Sequence, residues 1–242
     1  MISFIIPAHN EEALLEQTLK ALRRAGDAVG EEYEIIVADD ASTDCTAEIA
    51  ASCGAKVVSI DCRQIAAARN AGASIATGQY LIFVDADTIV GEATLRGAID
   101  ALKAGAAGGG ALIRLDDPTP WWARLLVERM FMLLYRVGRF ASGSFLFCTR
   151  RAFDAAGGFD EALYAAEELS MSRALRRHGR FVLLRDRVIT SGRKIRAYST
   201  SELLVMTFQI IIGGKRGLRD PNRRAMRVWY GPRREDPPES RL

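Results

Sequence analysis

The 242-residue sequence predicts an α/β fold built on a mostly parallel central sheet flanked by helices, and three observations carry that reading. Short apolar runs alternate with amphipathic stretches over residues 2–104, the rhythm of repeated β-α-β units with right-handed crossovers. The run Tyr80-Leu81-Ile82-Phe83-Val84 is continuously hydrophobic, as expected of a strand covered on both faces. That run ends in Asp85-Ala86-Asp87, two acids at the carboxyl end of a buried strand, where open α/β sheets place their ligands.

Taken in order, Ser3 to Pro7 reads as a short strand. Asn10 is placed to cap a helix from Glu11 to Arg24, with Leu14, Leu15, Leu19 and Leu22 on one face and acids near its positive end. Glu34 to Ala38 is a second strand running into Asp39-Asp40. A helix starting at Ser42 to Asp44, with Asp44 as its cap, runs to Cys53 and is stopped by Gly54. Lys56 to Ile60 is a third strand, Gln64 to Ala76 a helix, Tyr80 to Val84 a strand and Gly91 to Ala104 a helix. Gly105 to Gly110 reads as a flexible break, and Ala111 to Leu115 as another strand.

Pro118 to Phe140 changes character, with Trp121, Trp122, Leu125, Leu126 and Met130 to Tyr135 interrupted by arginines and Glu128. It reads as a helix with a wide apolar face, placed either over the sheet or at a membrane surface. Phe145 to Cys148 is a short strand. Leu203 to Ile212 is an apolar run too short to span a bilayer, and the tail from Pro232 to Leu242 is read as disordered.

Composition bounds the class. A hydrophobic content of 49% and a charged content of 26% are those of an ordinary globular protein. No stretch is long and apolar enough to predict a transmembrane helix, and the start lacks the basic region and cleavage site of a signal peptide. Cys45, Cys53, Cys62 and Cys148 form no Cys-x-x-Cys pair, which disfavours a zinc site and predicts reduced, cytoplasmic thiols. Net charge is +3, but residues 1–172 hold 15 Lys+Arg against 24 Asp+Glu while residues 173–242 hold 18 against 6. So basic a carboxy-terminal third points to an anionic partner, a nucleotide diphosphate or a membrane surface, with arginines scattered on solvated helices as the other reading. Aromatics are not interleaved with the arginines in an RNA-binding pattern, so nucleic acid is not expected.

Asp85 and Asp87 stand at i and i+2 of an extended segment, able to point the same way and share a hard divalent cation. Such a cation, Mn²⁺ or Mg²⁺, takes its other ligands from water and substrate phosphates. The competing reading is an acidic turn that caps a helix starting at Thr88 to Glu92.

Four strand-end segments now stand in order: Pro7-Ala8-His9-Asn10-Glu11, Asp39-Asp40-Ala41-Ser42-Thr43-Asp44, Ala68-Arg69-Asn70-Ala71-Gly72 and Asp85-Ala86-Asp87. Together they resemble the family 2 glycosyltransferases, inverting enzymes with the Rossmann-like GT-A fold, and the resemblance covers residues 2–192. It implies a nucleotide-sugar donor, a UDP-sugar first. Pro7 and Ala8 would bracket base and ribose, and Asn10 and Ala86 would line the donor. Glu11 would reach the ribose hydroxyls, and Asp39 would accept the imide N–H of uracil. Arg69 would contact base or phosphate through its permanently charged fork. Asp87 would be the direct metal ligand, with Asp85 on the ribose or in the metal shell. The same resemblance implies one domain over residues 1–230, with a nucleotide-sugar-binding half (1–104) and a mixed acceptor-side half (105–230) ending in a helical region.

Downstream, Gly157-Gly158-Phe159-Asp160-Glu161 is followed by Glu167-Glu168-Leu169-Ser170-Met171-Ser172-Arg173. In the family the second acid of this pair is the catalytic base, here Glu168 where aspartate is commoner; Glu167 is the alternative. Gly143 and Ser144, with Glu167, are expected on the acceptor side. Ser191-Gly192-Arg193-Lys194 resembles a basic stretch in which Arg193 or Lys194 reaches the diphosphate from a closing loop, with a plain basic loop as the other reading. Polyprenyl phosphate suits the apolar helix and basic terminal third; a small molecule, glycan or protein acceptor suits the rest equally. Two other classes share parts of the pattern. A nucleotidyltransferase would carry a Gly-rich loop after the first strand, and Pro7 to Glu11 has no glycine. A catalytically silent nucleotide-sugar-binding or membrane-adaptor protein would not need Asp85, Asp87, Arg69 and an acid at Glu168 together.

Overall fold

A computed structural model describes residues 1–116 and 140–193, and between them Thr119, Trp121, Leu125, Glu128, Arg129 and Met132. The chain runs β1 (Ile2–Ala8), α1 (Leu15–Val29), β2 (Tyr33–Asp40), α2 (Thr46–Ser52), β3 (Lys56–Ile60), α3 (Ile65–Ile75), β4 (Tyr80–Val84), β5 (Thr88–Ile89), α4 (Glu92–Lys103) and β6 (Gly108–Leu115). It continues through β7 (Phe145–Thr149), α5 (Arg150–Ala156), α6 (Glu167–Leu175) and β8 (Phe181–Thr190). The strands form one sheet in the order β3-β2-β1-β4-β7-β6-β8-β5. The first four of that order are parallel; β7 then pairs antiparallel with β4 and β6, β8 runs parallel to β6, and β5 closes antiparallel on β8. The sheet is therefore parallel over β3, β2, β1 and β4 and mixed beyond them.

Strand alternation explains the continuous apolar runs. On β1 and β4, Ile2, Phe4, Ile6, Ile82 and Val84 pack with Leu15, Leu19 and Leu22 of α1 and Leu95, Ile99 and Leu102 of α4. Their neighbours Ile5, Leu81 and Phe83 face the other layer, with Phe153, Phe159, Met171 and Leu175. Phe159 lies edge-on to Phe83 at 4.9 Å between centroids, so the Gly-Gly-Phe segment is anchored in the core by its aromatic ring.

Several expectations change in detail. The first helix starts at Leu15 rather than Glu11, and Asn10 does not cap it: Asn10 is left-handed (φ 51°) and its Oδ1 accepts from the Thr43 backbone N–H at 2.8 Å. Asp44 does accept from the Thr46 backbone N–H at 3.0 Å, from one residue ahead of the position that caps α2. The two acids after β4 do not cap a helix, because Thr88–Ile89 is a strand and α4 begins at Glu92 behind Gly91.

Gly108 to Gly110 are not a flexible break but the buried first residues of β6. A side chain on Gly109 would collide with the Val182 carbonyl and sit 2.9 Å from Phe147 Cε2, and one on Gly110 would meet Ala141 Cβ at 2.5 Å. Glycine is used here for close approach of neighbouring strands, a packing demand that looks like flexibility in the bare sequence. The helix over Pro118 to Phe140 falls mostly outside the described residues; within it Trp121 and Leu125 are helical and exposed. Lys194, the run Leu203 to Ile212 and the terminal tail also lie outside them. Among the described residues no helix is long and apolar enough to cross a membrane.

The tight strand contact at Gly109 has a measurable consequence. Gly109→Ala should lower unfolding free energy by about 1–3 kcal/mol, the ordinary cost of overpacking, read as a lower urea midpoint with unchanged m-value. An unchanged midpoint would show that β6 and β8 separate without cost.

Candidate active site

Asp39 and Asp40 end β2 on opposite sides of the strand, which settles what a tandem pair leaves open. Asp40 faces the next loop: its Oδ1 accepts from the backbone N–H groups of Cys62 and Arg63 (2.9 and 2.7 Å), and Oδ2 from that of Gln64 (2.6 Å). It thereby caps the approach to α3. Asp39, paired in register with Ala8 of β1, is 7% exposed, and its Oδ1 has no hydrogen-bond partner among the described residues. An acceptor this enclosed and unsatisfied costs free energy unless a ligand supplies a donor. His9 lies alongside, with Nδ1 2.7 Å from the Asp40 carbonyl and the Arg63 guanidinium against its ring.

The loops after β1 and β2 are laced together. The Asn10 backbone N–H donates to Ser42 Oγ (3.0 Å), that of Glu11 to Thr46 Oγ1 (2.8 Å) and that of Glu12 to Asp44 (3.2 Å). Pro7 and Ala8 thus present main chain, rather than side chain, beside Asp39. The non-glycine residues with positive φ among the described residues are Asn10, Ala41, Arg63 and Ala166, and all four stand in loops around this edge. Strained backbone concentrated at one place is a mark of a built site.

Arg69, in the first turns of α3, is the centre of the arrangement. Its guanidinium donates to Glu167 Oε1 at 2.6 Å, to Asp85 Oδ1 at 3.0 Å and to the Gly143 carbonyl at 3.0 Å, and its Cζ lies 5.2 Å from the centroid of Phe159. At 1% exposure it is enclosed, facing these groups rather than an open cleft. Burial opposes its charge, but the carboxylates of Glu167, Asp85 and Glu168 more than offset this and raise its hold on the proton. The next residue, Asn70, pins the Gly-Gly-Phe segment: its Oδ1 accepts from the Phe159 N–H (2.9 Å) and its Nδ2 donates to the Phe159 carbonyl (3.0 Å).

Glu167 and Glu168 both lie in the first turn of α6, behind the left-handed Ala166. Their surroundings separate them. Glu167 is buried and paired to Arg69, so its charge is already spent. Glu168 keeps a partial opening to solvent. Withdrawal from water, and then the Glu167 charge, push its carboxyl up to about 8, with Arg69 pulling the other way. Gly143 joins the two halves: a Cβ built there would lie 3.1 Å from Arg69 Nη2, 3.9 Å from the Glu168 carboxyl carbon and 4.0 Å from Asp85 Oδ2. Ser144 holds its register, its carbonyl accepting from the Asp85 N–H at 3.4 Å.

Ala86 is buried between the acids, and its carbonyl accepts from Thr18 Oγ1 at 2.9 Å. Asp87 meets the far edge of the sheet: Thr190 Oγ1 lies 3.4 Å from its Oδ1, and its carbonyl accepts from the Ser191 N–H at 3.2 Å. Arg193, three residues beyond β8, places Nη2 2.5 Å from Glu11 Oε1 and 3.4 Å from Asp87 Oδ2. The site therefore gathers Glu11, Asp85, Asp87, Glu167 and Glu168 around two guanidiniums, with Asp39 at the end of β2. Among the described residues no three His, Cys, Asp or Glu side chains form a ready metal cage. The donor set that does exist, hard carboxylate oxygens already holding one guanidinium at Asp87, fits an ion that draws its remaining ligands from a substrate.

Asp40, Asn70 and the Glu11–Arg193 pair were not singled out from sequence. Asp40 and Asn70 lay inside quoted motifs, but nothing in a motif says which member faces a ligand. Glu11 and Arg193 are 182 residues apart, and only the sheet order joins them.

Comparison with known proteins bears on the family and the fold. The family model for Glycosyl transferase family 2 matches residues 3–156. A relative in Streptomyces hygroscopicus subsp. jinggangensis, a validoxylamine A glucosyltransferase, is 36% identical over 97 residues, which is 38% of this chain and 23% of that protein. The chain thus matches under a quarter of that relative's length. The mannosyltransferase PcManGT of Pyrobaculum calidifontis, solved with GDP-Man and Mn²⁺, superposes with a TM-score of 0.68 at 20% identity, over 94% of this chain and 69% of that one. S. aureus TarS 1–349, solved with UDP-GlcNAc, gives 0.64 at 21% identity, over 86% and 64%. These structures share the GT-A fold. With well over half of its length matched by the family model, the chain belongs to glycosyl transferase family 2.

Proposed function

We propose that the protein is an inverting glycosyltransferase that moves a sugar from a nucleotide-sugar, a UDP-sugar, to an acceptor hydroxyl or phosphate. The observation that carries this reading is the convergence at Gly143, where the donor-side acid Asp85 and the acceptor-side acid Glu168 both come within about 4 Å of one point. A base and a leaving-group site on opposite sides of a reacting carbon are what single displacement requires.

Each residue then has a task. The unsatisfied Asp39 oxygen accepts the imide N–H of uracil, and the Pro7–Ala8 main chain borders base and ribose. Asn10 fixes the loop from which Glu11 reaches the ribose. Asp87, with Asp85, would hold Mn²⁺ or Mg²⁺, which when bound offsets the negative charge growing on the departing diphosphate. Both relatives' complexes bear on this: TarS was solved with UDP-GlcNAc and PcManGT with Mn²⁺. Arg69 does not touch donor; it orders Asp85, Gly143 and Glu167 around the reacting centre. Glu168 takes the proton of the acceptor hydroxyl as the oxygen bonds to the anomeric carbon. The bond from that carbon to the diphosphate oxygen breaks, and its electron pair leaves with the nucleoside diphosphate. Glu167 is excluded as the base because its carboxylate is committed to Arg69. A peripheral contact with the inner face of a membrane belongs to the same proposal, supported by exposed Trp121 and Leu125 one helical turn apart.

The direct test is ligand stabilisation by UDP, GDP, CMP and dTDP, each with and without Mn²⁺ or Mg²⁺, followed by turnover with the stabilising donor. UDP should raise the melting temperature with metal present; stabilisation by GDP alone would reassign the donor, and by none would favour a silent adaptor. Glu168→Gln should cut kcat by at least about 10²-fold, the usual share of general-base catalysis, while leaving nucleotide affinity within twofold. Full activity of that variant sinks Glu168 as the base.

The raised pKa of Glu168 gives a second expectation. Because the neutral acid cannot accept a proton, kcat/KM should climb with pH, pass half its maximum near 8 and level off only above it. Stability should run the opposite way. The folded state binds the Glu168 proton more tightly than the unfolded chain, so this contribution is complete below the ordinary glutamate pKa and is lost as pH rises through about 8. Wild type should therefore lose stability relative to Glu168→Gln between pH 5 and 8. Parallel pH profiles for the two proteins would contradict it.

A further inference from the structure

Arg193 occupies a position that the proposed function needs for something else. Its guanidinium bonds both oxygens of Glu11, at 2.5 Å to Oε1, and lies 3.4 Å from Asp87 Oδ2, with the Arg193, Glu11 and Asp87 side chains only 17%, 6% and 13% exposed. Glu11 is the residue assigned to the donor ribose and Asp87 the one assigned to the divalent ion. A guanidinium and a metal ion cannot share one carboxylate face, because two positive centres would then stand within a few ångströms in an enclosed site.

The placement is built rather than incidental. The Ser191 N–H donates to the Asp87 carbonyl at 3.2 Å, and the Gly192 N–H donates to Asp116 Oδ1 at 3.0 Å. That same Asp116 oxygen accepts from Thr119 Oγ1 at 2.7 Å. Gly192 is pressed so close to Thr119 that a Cβ there would collide with it. The backbone at Ser191 and Gly192 is thus tied down, and Arg193 reaches Glu11 and Asp87 through its side chain alone.

Resting on the function proposed above, we propose that Arg193 is an exchangeable counter-cation that makes binding of the divalent ion depend on the nucleotide. In the donor-free protein Arg193 neutralises Asp87 and Glu11, so a metal ion alone competes with a tethered charge and binds weakly. The donor brings a diphosphate whose negative charge takes over the guanidinium. Asp87 is then released to the metal ion and Glu11 to the ribose. Metal and nucleotide consequently bind with positive coupling, and each tightens the other by the same factor.

Mn²⁺ titrations followed by the electron paramagnetic resonance signal of the free ion, with and without saturating UDP, test this without any turnover. In wild type, UDP should tighten Mn²⁺ binding by roughly tenfold or more, within the ordinary range of coupling between sites. Arg193→Gln should bind Mn²⁺ alone about tenfold more tightly than wild type, with the effect of UDP reduced to the same degree. Arg193→Met, which keeps the packed stem, should behave likewise, and Arg193→Lys, which keeps the charge, should stay close to wild type. Asp87→Asn should lose the binding. Mn²⁺ affinity unchanged or weakened in both neutral variants overturns the proposal alone, as does Mn²⁺ binding that survives Asp87→Asn. No Mn²⁺ binding by wild type or the variants, even with UDP, overturns the metal reading and the counter-cation together.

Discussion

The whole site depends on one buried guanidinium. Arg69 reaches from α3 to Asp85 at the end of β4, to the Gly143 carbonyl before β7 and to Glu167 at the start of α6. Those three groups belong to parts of the chain that share no covalent proximity, and two of them are carboxylates that repel each other when left alone. A fully enclosed charge of this kind is tolerated only when it is paired and hydrogen-bonded. Its fork geometry satisfies several acceptors at once, where a lysine would act as a single point charge. The Phe159 ring, centred 5.2 Å from Arg69 Cζ, adds a cation–π contact. Without Arg69, nothing of opposite charge among the described residues would stand between the carboxylates of Asp85 and Glu167.

The same interaction sorts two adjacent glutamates into different chemistries. Glu167 is taken up by its contact with Arg69, whereas Glu168 sees mainly withdrawal from solvent and the charge of its neighbour, and its carboxyl rises to about 8. A base whose proton affinity lies near the working pH is better matched to its task than an ordinary surface carboxylate. The pair therefore works as a unit in which one acid raises the other. An excess of carboxylates across the rest of the site has a comparable effect on positive ligands. It attracts a cation, and in the structure the cation at Asp87 is Arg193.

Much of this was legible in the residues and some was not. Strand ends and the acids upon them follow from local pattern, because a strand buried on both faces must be apolar and must stop where charge begins. Tyr80 to Val84 and Lys56 to Ile60 are strands with the bounds their patterns suggest. Helix starts were displaced where a side chain found a partner far away, as Asn10 did with Thr43 instead of capping α1. The glycines of β6 misled because the chain carries no record of what presses against them. Arg69 showed its chemistry but not its orientation: a guanidinium suited to phosphate is equally suited to two carboxylates. Which of these it meets is decided by α6, almost a hundred residues later.

The mixed sheet order gives the last step its physical basis. The parallel strands β2 and β4 deliver Asp39, Asp85 and Asp87 from elements packed on both faces, so those acids are fixed by the core itself. Beyond β7 the order breaks, and β8 comes back beside β5 so that Thr190, Ser191 and Arg193 reach Asp87 from the opposite edge. Rigid acids on one side and a stem-tethered cation on the other are a division of labour that a wholly parallel sheet would not provide. In the proposed cycle a ligand enters, is held and leaves with added charge, and both are needed. The fixed carboxylates would set where charge is received, and the Arg193 guanidinium would set when that place is free.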